Sequence, residues 1–214
     1  EVATISLLSS LNLLKGYDAK LADEIRLYED KADKLEDALG SYLVQASACD
    51  LSKQDSHQVT MLLHIIGDYE RISDHAVNVV ESGEEMKNKG LQFSEAAQAE
   101  LAVLTAAVNE IMDLSLDAFL KNDVGLASAV EPLEEVIDTL KDQLRTRHIL
   151  RLQKGECTIE LGFVWSDLLT SLERVADHCS NIAVAILEGT DASVQSHAYL
   201  HSLKENDRDE YRER

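Results

Sequence analysis

Proline and glycine are scarce, with 1 and 9 among 214 residues. So few turn-forming residues argue against a sandwich or small barrel, which needs many tight turns. Basic residues are also few: 20 Lys and Arg stand against 40 Asp and Glu, a formal net charge of -20. Nucleic-acid affinity comes largely from Lys and Arg neutralising phosphates, so this balance argues against a nucleic-acid partner. It equally disfavours a basic patch docking on anionic lipid. The three cysteines, Cys49, Cys157 and Cys179, are odd in number and far apart. They form neither a disulfide framework nor a CxxC site, and a reducing compartment is the simplest expectation. No signal-peptide pattern opens the chain, and no apolar run approaches the roughly 18 residues of a membrane-spanning helix. A Gly-rich phosphate loop, a Ser-His-Asp order and a nucleophile with an evident base are all missing. The expectation is a protein that is not an enzyme and uses no organic cofactor.

What the sequence does have is helical periodicity. Hydrophobic residues make up 45% of the chain, and they recur at three- and four-residue spacing almost throughout. Between Asp55 and Lys89 the stripe reads Leu62, Ile65, Tyr69, Ile72, Ala76, Val79 and Val80, one face of an amphipathic helix. Breaks at Gly16 to Asp18, Ser47 to Lys53, Gly90 to Phe93, Asn122-Asp123 and Lys154-Gly155 divide the chain. About six helices follow: 2–15, 19–47, 54–89, 95–121, 124–153 and 158–188. Ser94 is a natural N-cap, and Pro132 should kink the fifth helix or mark a late start. Residues 190–214 turn polar and highly charged, and are expected to fray. The chain starts at Glu1 inside an apolar-periodic segment, which suggests a piece of a longer protein.

The two long third helices repeat one motif. Glu70-Arg71-Ile72-Ser73-Asp74-His75-Ala76-Val77-Asn78 matches Glu173-Arg174-Val175-Ala176-Asp177-His178-Cys179-Ser180-Asn181 as ERxxDHxxN. The helices before them also align, Glu29 and Asp33 with Glu134 and Asp138. The spacing agrees: 41 residues from Glu29 to Glu70, and 39 from Glu134 to Glu173. Self-similarity over half the chain implies two tandem copies of a three-helix unit. The expected class is therefore all-α, two three-helix bundles, with units at 1–91 and 92–189.

Each unit carries two acidic pairs at i, i+4: Glu29/Asp33 with Glu70/Asp74, then Glu134/Asp138 with Glu173/Asp177. Each pair stacks on one helix face. Like charges so placed repel, and a hard cation held by carboxylate and amide oxygens would reverse the sign. Arg71 and Arg174 offer a remedy without metal. A single ExxxD pair is usually a solvated face; four in register, each second pair followed by Asn78 or Asn181, are less ordinary. His75 and His178 read first as satisfied helical histidines. A di-iron bundle uses Glu-x-x-His at i, i+3, whereas here Glu to His is i, i+5. His197 and His201 lie in the polar tail and read as surface.

At ERISDHAVN and ERVADHCSN the sequence resembles the PhoU family of phosphate-uptake regulators, over about residues 1 to 188. That resemblance implies two tandem three-helix bundles whose ExxxD motifs bind multinuclear iron, zinc or other divalent ions. By position the implied ligands are Glu29, Asp33, Glu70, Asp74, Glu134, Asp138, Glu173 and Asp177. Arg147-His148-Ile149, Leu152 to Phe163 and the tail His197 to Leu203 look like the cytoplasmic C-terminal domain of bacterial sodium/phosphate cotransporters. The implied function is a regulatory domain of phosphate transport. It would be cytoplasmic, tethered through the membrane portion of such a transporter, with no lipid insertion of its own and with a homodimer left open. Three alternatives stand beside it. One is a free-standing regulator acting on an ABC phosphate transporter and a histidine kinase. Another is a metal-storing or redox bundle, and the last is a scaffold whose acids only confer solubility.

Overall fold

The computed structural model describes residues 1–190. The polar tail expected at 190–214, with His197 and His201, lies outside the described residues from 191 onward. Seven helices follow in order: α1 (Val2–Leu13), α2 (Ala19–Ser47), α3 (Lys53–Lys89), α4 (Glu95–Lys121), α5 (Val124–Ser128), α6 (Val130–Gln153) and α7 (Ile159–Thr190). The fold class is all-α, as expected. The fifth expected helix is two: Ala129 separates α5 from α6, and Pro132 falls in the first turn of α6. That is the position where a missing N–H costs nothing, because first-turn N–H groups have no intrahelical acceptor.

Local chemistry sets the ends. The side chains of Asp18, Ser52, Ser94 and Asp123 accept backbone N–H groups of the first turns of α2, α3, α4 and α5. Thr158 does the same for α7, taking the Leu161 N–H at 3.2 Å. Gly90 closes α3 with φ of 63°, a left-handed conformation that glycine adopts without Cβ strain.

Helices α1, α2 and α3 pack together as one unit, and α4, α6 and α7 as a second, with α5 bridging α4 and α7. Among the described residues the most extensive helix–helix contact is between the two units, where α3 runs along α7. The buried apolar residues accordingly form one continuous core, from Leu7 and Ile25 through Ile72 and Val79 to Leu104, Leu168 and Leu172. The α1–α3 approach is close: a Cβ on Gly83 would lie 2.7 Å from Leu13 Cδ2. Because α3 and α7 are the two motif-bearing helices, the seam brings both ERxxDHxxN segments face to face.

Candidate functional site

The sequence-selected acids lie on two pairs of helices. In the first unit Glu29 and Asp33 are on α2, and Glu70 and Asp74 on α3. In the second, Glu134 and Asp138 are on α6, and Glu173 and Asp177 on α7. Asp33 is exposed and the other seven are half-buried.

The first group is short of positive charge. Arg71 approaches Glu70 at 3.6 Å and Asp74 at 3.7 Å, with its own side chain 64% exposed. Such an exposed, loosely held pair contributes little. Burial and the charges of Asp74, Asp30 and Asp33 push the Glu29 carboxyl above its ordinary range. Burial and Asp74 do the same to Glu70, with Glu36 adding to the repulsion.

The second group is neutralised from within. Lys141 Nζ lies 3.1 Å from Asp138 Oδ1 on its own helix and 3.1 Å from Glu173 Oε1 across on α7. Arg174 donates to Asp177 Oδ2 at 3.1 Å. Burial, then Glu173, raise the Asp177 carboxyl. Glu131, buried in the first turn of α6, accepts the Ser180 hydroxyl at 2.6 Å. Glu131, Glu134, Arg174, Asp177, His178, Ser180 and Asn181 line a polar hollow of about 440 Å³. Among the described residues, no three His, Cys, Asp or Glu side chains converge as a metal site would require.

Between the two groups, the seam carries a polar network. His178 Nδ1 is 2.8 Å from Asp68 Oδ1. A carboxylate only accepts, so Nδ1 carries the proton. Asn181 Nδ2 donates to the same oxygen at 3.2 Å. The His75 and His178 rings lie tilted by 30° with centroids 5.7 Å apart, and Asn78 Nδ2 lies 3.3 Å from His75 Nδ1. Burial, then the neighbouring His178, push His75 below its ordinary value. The Asn residues thus serve the histidines and Asp68.

Sequence reasoning missed Asp68, Glu131 and Lys141. Lys141 had a signal: it stands three residues after Asp138, a helical pairing distance. A long apolar groove of about 600 Å³, lined by Leu35, Leu39, Tyr42, Ile66 and Leu120, ends on Glu36 and Glu70.

The raised carboxyls of the first group have a consequence for pH. A carboxyl whose folded value exceeds its unfolded value makes the folded state bind more protons between the two. Its charge therefore costs stability at about pH 7, and the cost disappears as pH falls toward the unfolded value. Glu70→Gln with Asp74→Asn should raise Tm by about 1–2 °C near neutral pH in chelator. The gap to wild type should close on acidification. A variant that melts lower than wild type at both pH values would mean that Arg71 more than balances these acids.

The PhoU domain family model matches residues 1–83 and 101–186, one match on each unit. The phosphate-specific transport system accessory protein PhoU homolog 1 of Thermotoga maritima is 25% identical over 184 residues, 85% of this chain and 78% of that protein. The PhoU homolog of Pseudomonas aeruginosa is 26% identical over 202 residues, 92% and 81% of the two chains. The crystal structure of PhoU from Pseudomonas aeruginosa superposes with a TM-score of 0.84 at 22% identity, covering 90% of this chain and 91% of that one. The phosphate transport system regulatory protein PhoU from Streptococcus pneumoniae superposes at 0.78 and 20% identity, over 89% of each chain. The two structures share the fold, and the family match spans both units and both third-helix motifs. The chain belongs to the PhoU domain family.

Proposed function

We propose that this protein is a regulator of phosphate transport and not an enzyme, acting by contact with components of a phosphate transport system. The observation that carries the reading is the family match over both repeats, including both ERxxDHxxN segments. The relatives named above are accessory proteins of phosphate-specific transport, and the alignments run over about four-fifths of their length. That favours action on a phosphate-specific transport system.

The finer reading, a domain tethered to the membrane portion of a sodium/phosphate transporter, rests on the resemblance at 147–149 and 152–163. Those residues build a packing unit. His148 is buried with Nε2 3.9 Å from Cys157 Sγ, its ring stacks on Trp165, and a Cβ on Gly162 would press on it at 3.2 Å. The segment therefore has a structural reason to be as it is. No described helix is long and apolar enough to cross a membrane.

A metal ion is part of the proposal for the first repeat only. Glu29, Asp33, Glu70 and Asp74, which do not converge as they stand, would have to be drawn together to hold it. Their oxygen donors suit a hard cation, and such an ion would relieve both the burial of charge and the mutual repulsion that raise Glu29 and Glu70. The ion would neutralise the acids and tie α2 to α3. In the second repeat the corresponding acids do not fit that role, because Lys141 already bridges Asp138 and Glu173.

Affinity capture of the full chain from its own cells, read by mass spectrometry, tests the reading. Recovery of phosphate-specific transport components, with phosphate uptake released from control on deletion, is expected. Recovery of a sodium/phosphate transporter instead would select the tethered form. Unchanged uptake with neither partner would overturn both.

A further inference from the structure

The two repeats carry the same acids, but they do not treat them alike. In the first repeat the spacing runs Glu29, Asp33, Glu36; in the second it runs Glu134, Asp138, Lys141. One position has changed sign between the copies. With the third-helix acids and their Arg included, these six positions carry a formal charge of −4 in the first repeat and −2 in the second.

We propose that Lys141 is a built-in counter-ion that occupies the cation position of the second repeat, so that Asp138 and Glu173, with Glu134 and Asp177, take no metal ion. The geometry is a bridge. One ammonium touches a carboxylate of α6 and a carboxylate of α7, each at 3.1 Å. It thereby joins the same two helices that an ion held by both acidic pairs would join. The Lys141 and Glu173 side chains are 20% and 17% exposed, so the pair is partly shielded from water and removing one member leaves an uncompensated charge. A divalent ion entering between these oxygens would have to expel Lys141 or sit against its charge, and both oppose binding. In the first repeat, half-buried Glu36 stands at the matching position and adds repulsion to Glu70 instead of relieving it. The charge of a cation site sets its affinity, so the sign change at one position separates a repeat that answers to ion concentration from one whose helices are clamped permanently. This holds whether or not the chain regulates phosphate transport.

Mn²⁺ titration of the chelated and dialysed full chain, followed calorimetrically and by the electron paramagnetic resonance of free Mn²⁺, tests the assignment. In the wild type, Asp138→Asn with Asp177→Asn should leave Mn²⁺ binding unchanged. Lys141→Glu should gain a site at least about tenfold tighter than any in the second repeat of the wild type. Adding Asp177→Asn to Lys141→Glu should remove it. Lys141→Arg, which keeps the charge, should gain nothing. If Lys141→Glu does not fold, Lys141→Gln carries the same test, with a smaller gain in affinity and a larger rise in Tm on adding Mn²⁺ than the wild type gives. Wild-type binding lost on Asp138→Asn with Asp177→Asn would overturn the inference. So would folded Lys141→Glu or Lys141→Gln proteins that bind Mn²⁺ no better than the parent.

Discussion

Trp165→Ala should lose about 3–5 kcal/mol of stability, the cost expected for emptying a large aromatic site that cannot collapse. Trp165 is 1% exposed and is the single tryptophan. It meets Phe93 edge-on with centroids 5.1 Å apart, stacks on His148 at 5.5 Å, and has the Arg151 guanidinium 5.4 Å from its ring. Arg151 in turn pairs with Glu100 at 2.8 Å, both side chains largely covered. The ring therefore fastens α6 and α7 to the entrance of α4, and its loss loosens every helix of the second repeat. At 2–4 °C per kcal/mol for a domain of this size, Tm should fall by about 10 °C. The variant has no tryptophan fluorescence, so urea unfolding is followed by far-ultraviolet circular dichroism. Trp165→Phe, which keeps an aromatic face, should recover about half of the loss. A Trp165→Ala protein within about 1 kcal/mol of wild type would mean that this part of the second repeat is already loosely packed.

The helices and their repetition were legible because both are local or self-referential signals. The 3.6-residue stripe gave α2 as 19–47, matching the structure, and Ser94 was readable as the cap of α4. The break at Ala129 was only half legible: Pro132 announced a start, but nothing local required the short α5 to end at Ser128. The acids of the site could be selected by position within the repeat, and their electrostatic fate could not. Whether Asp138 and Glu173 share a lysine depends on the axial register of α6 against α7. The i, i+3 spacing from Asp138 to Lys141 discloses one bond of the bridge and leaves the other hidden. Asp68 was harder still. Its partner His178 is 110 residues away, across a seam whose geometry belongs to the packing of the two repeats. Its counterpart by motif register is Ser171, so the repeat gave no help.

Cys179 should react with an aromatic disulfide reagent at least about a thousandfold more slowly than Cys49 at about pH 8, and this gap measures how tightly α7 is packed against its neighbours. The reacting species is the thiolate, so both access and ionisation count. Cys49 is exposed near the end of α2, Cys157 is half-buried, and Cys179 is fully buried. Burial pushes the Cys179 thiol up to about 12. A thiol so shifted is scarcely ionised at that pH, so ionisation and access both slow Cys179. Its sulfur rests 3.9 Å from Met112 Sδ of α4, and the Ser115 hydroxyl reaches its carbonyl at 3.4 Å. Reaction thus requires α7 to part from its neighbours, an opening whose free energy approaches that of unfolding for core elements. Full denaturation should bring the three thiols to similar rates. Asp68→Ala removes the acceptor shared by His178 and Asn181 on the same stretch of α7, and should speed Cys179 labelling several-fold while leaving Cys49 unchanged. If Cys179 instead labels within about tenfold of Cys49 in the native wild type, α7 parts readily from the helices packed on it, α4 among them, and is a mobile part of the molecule.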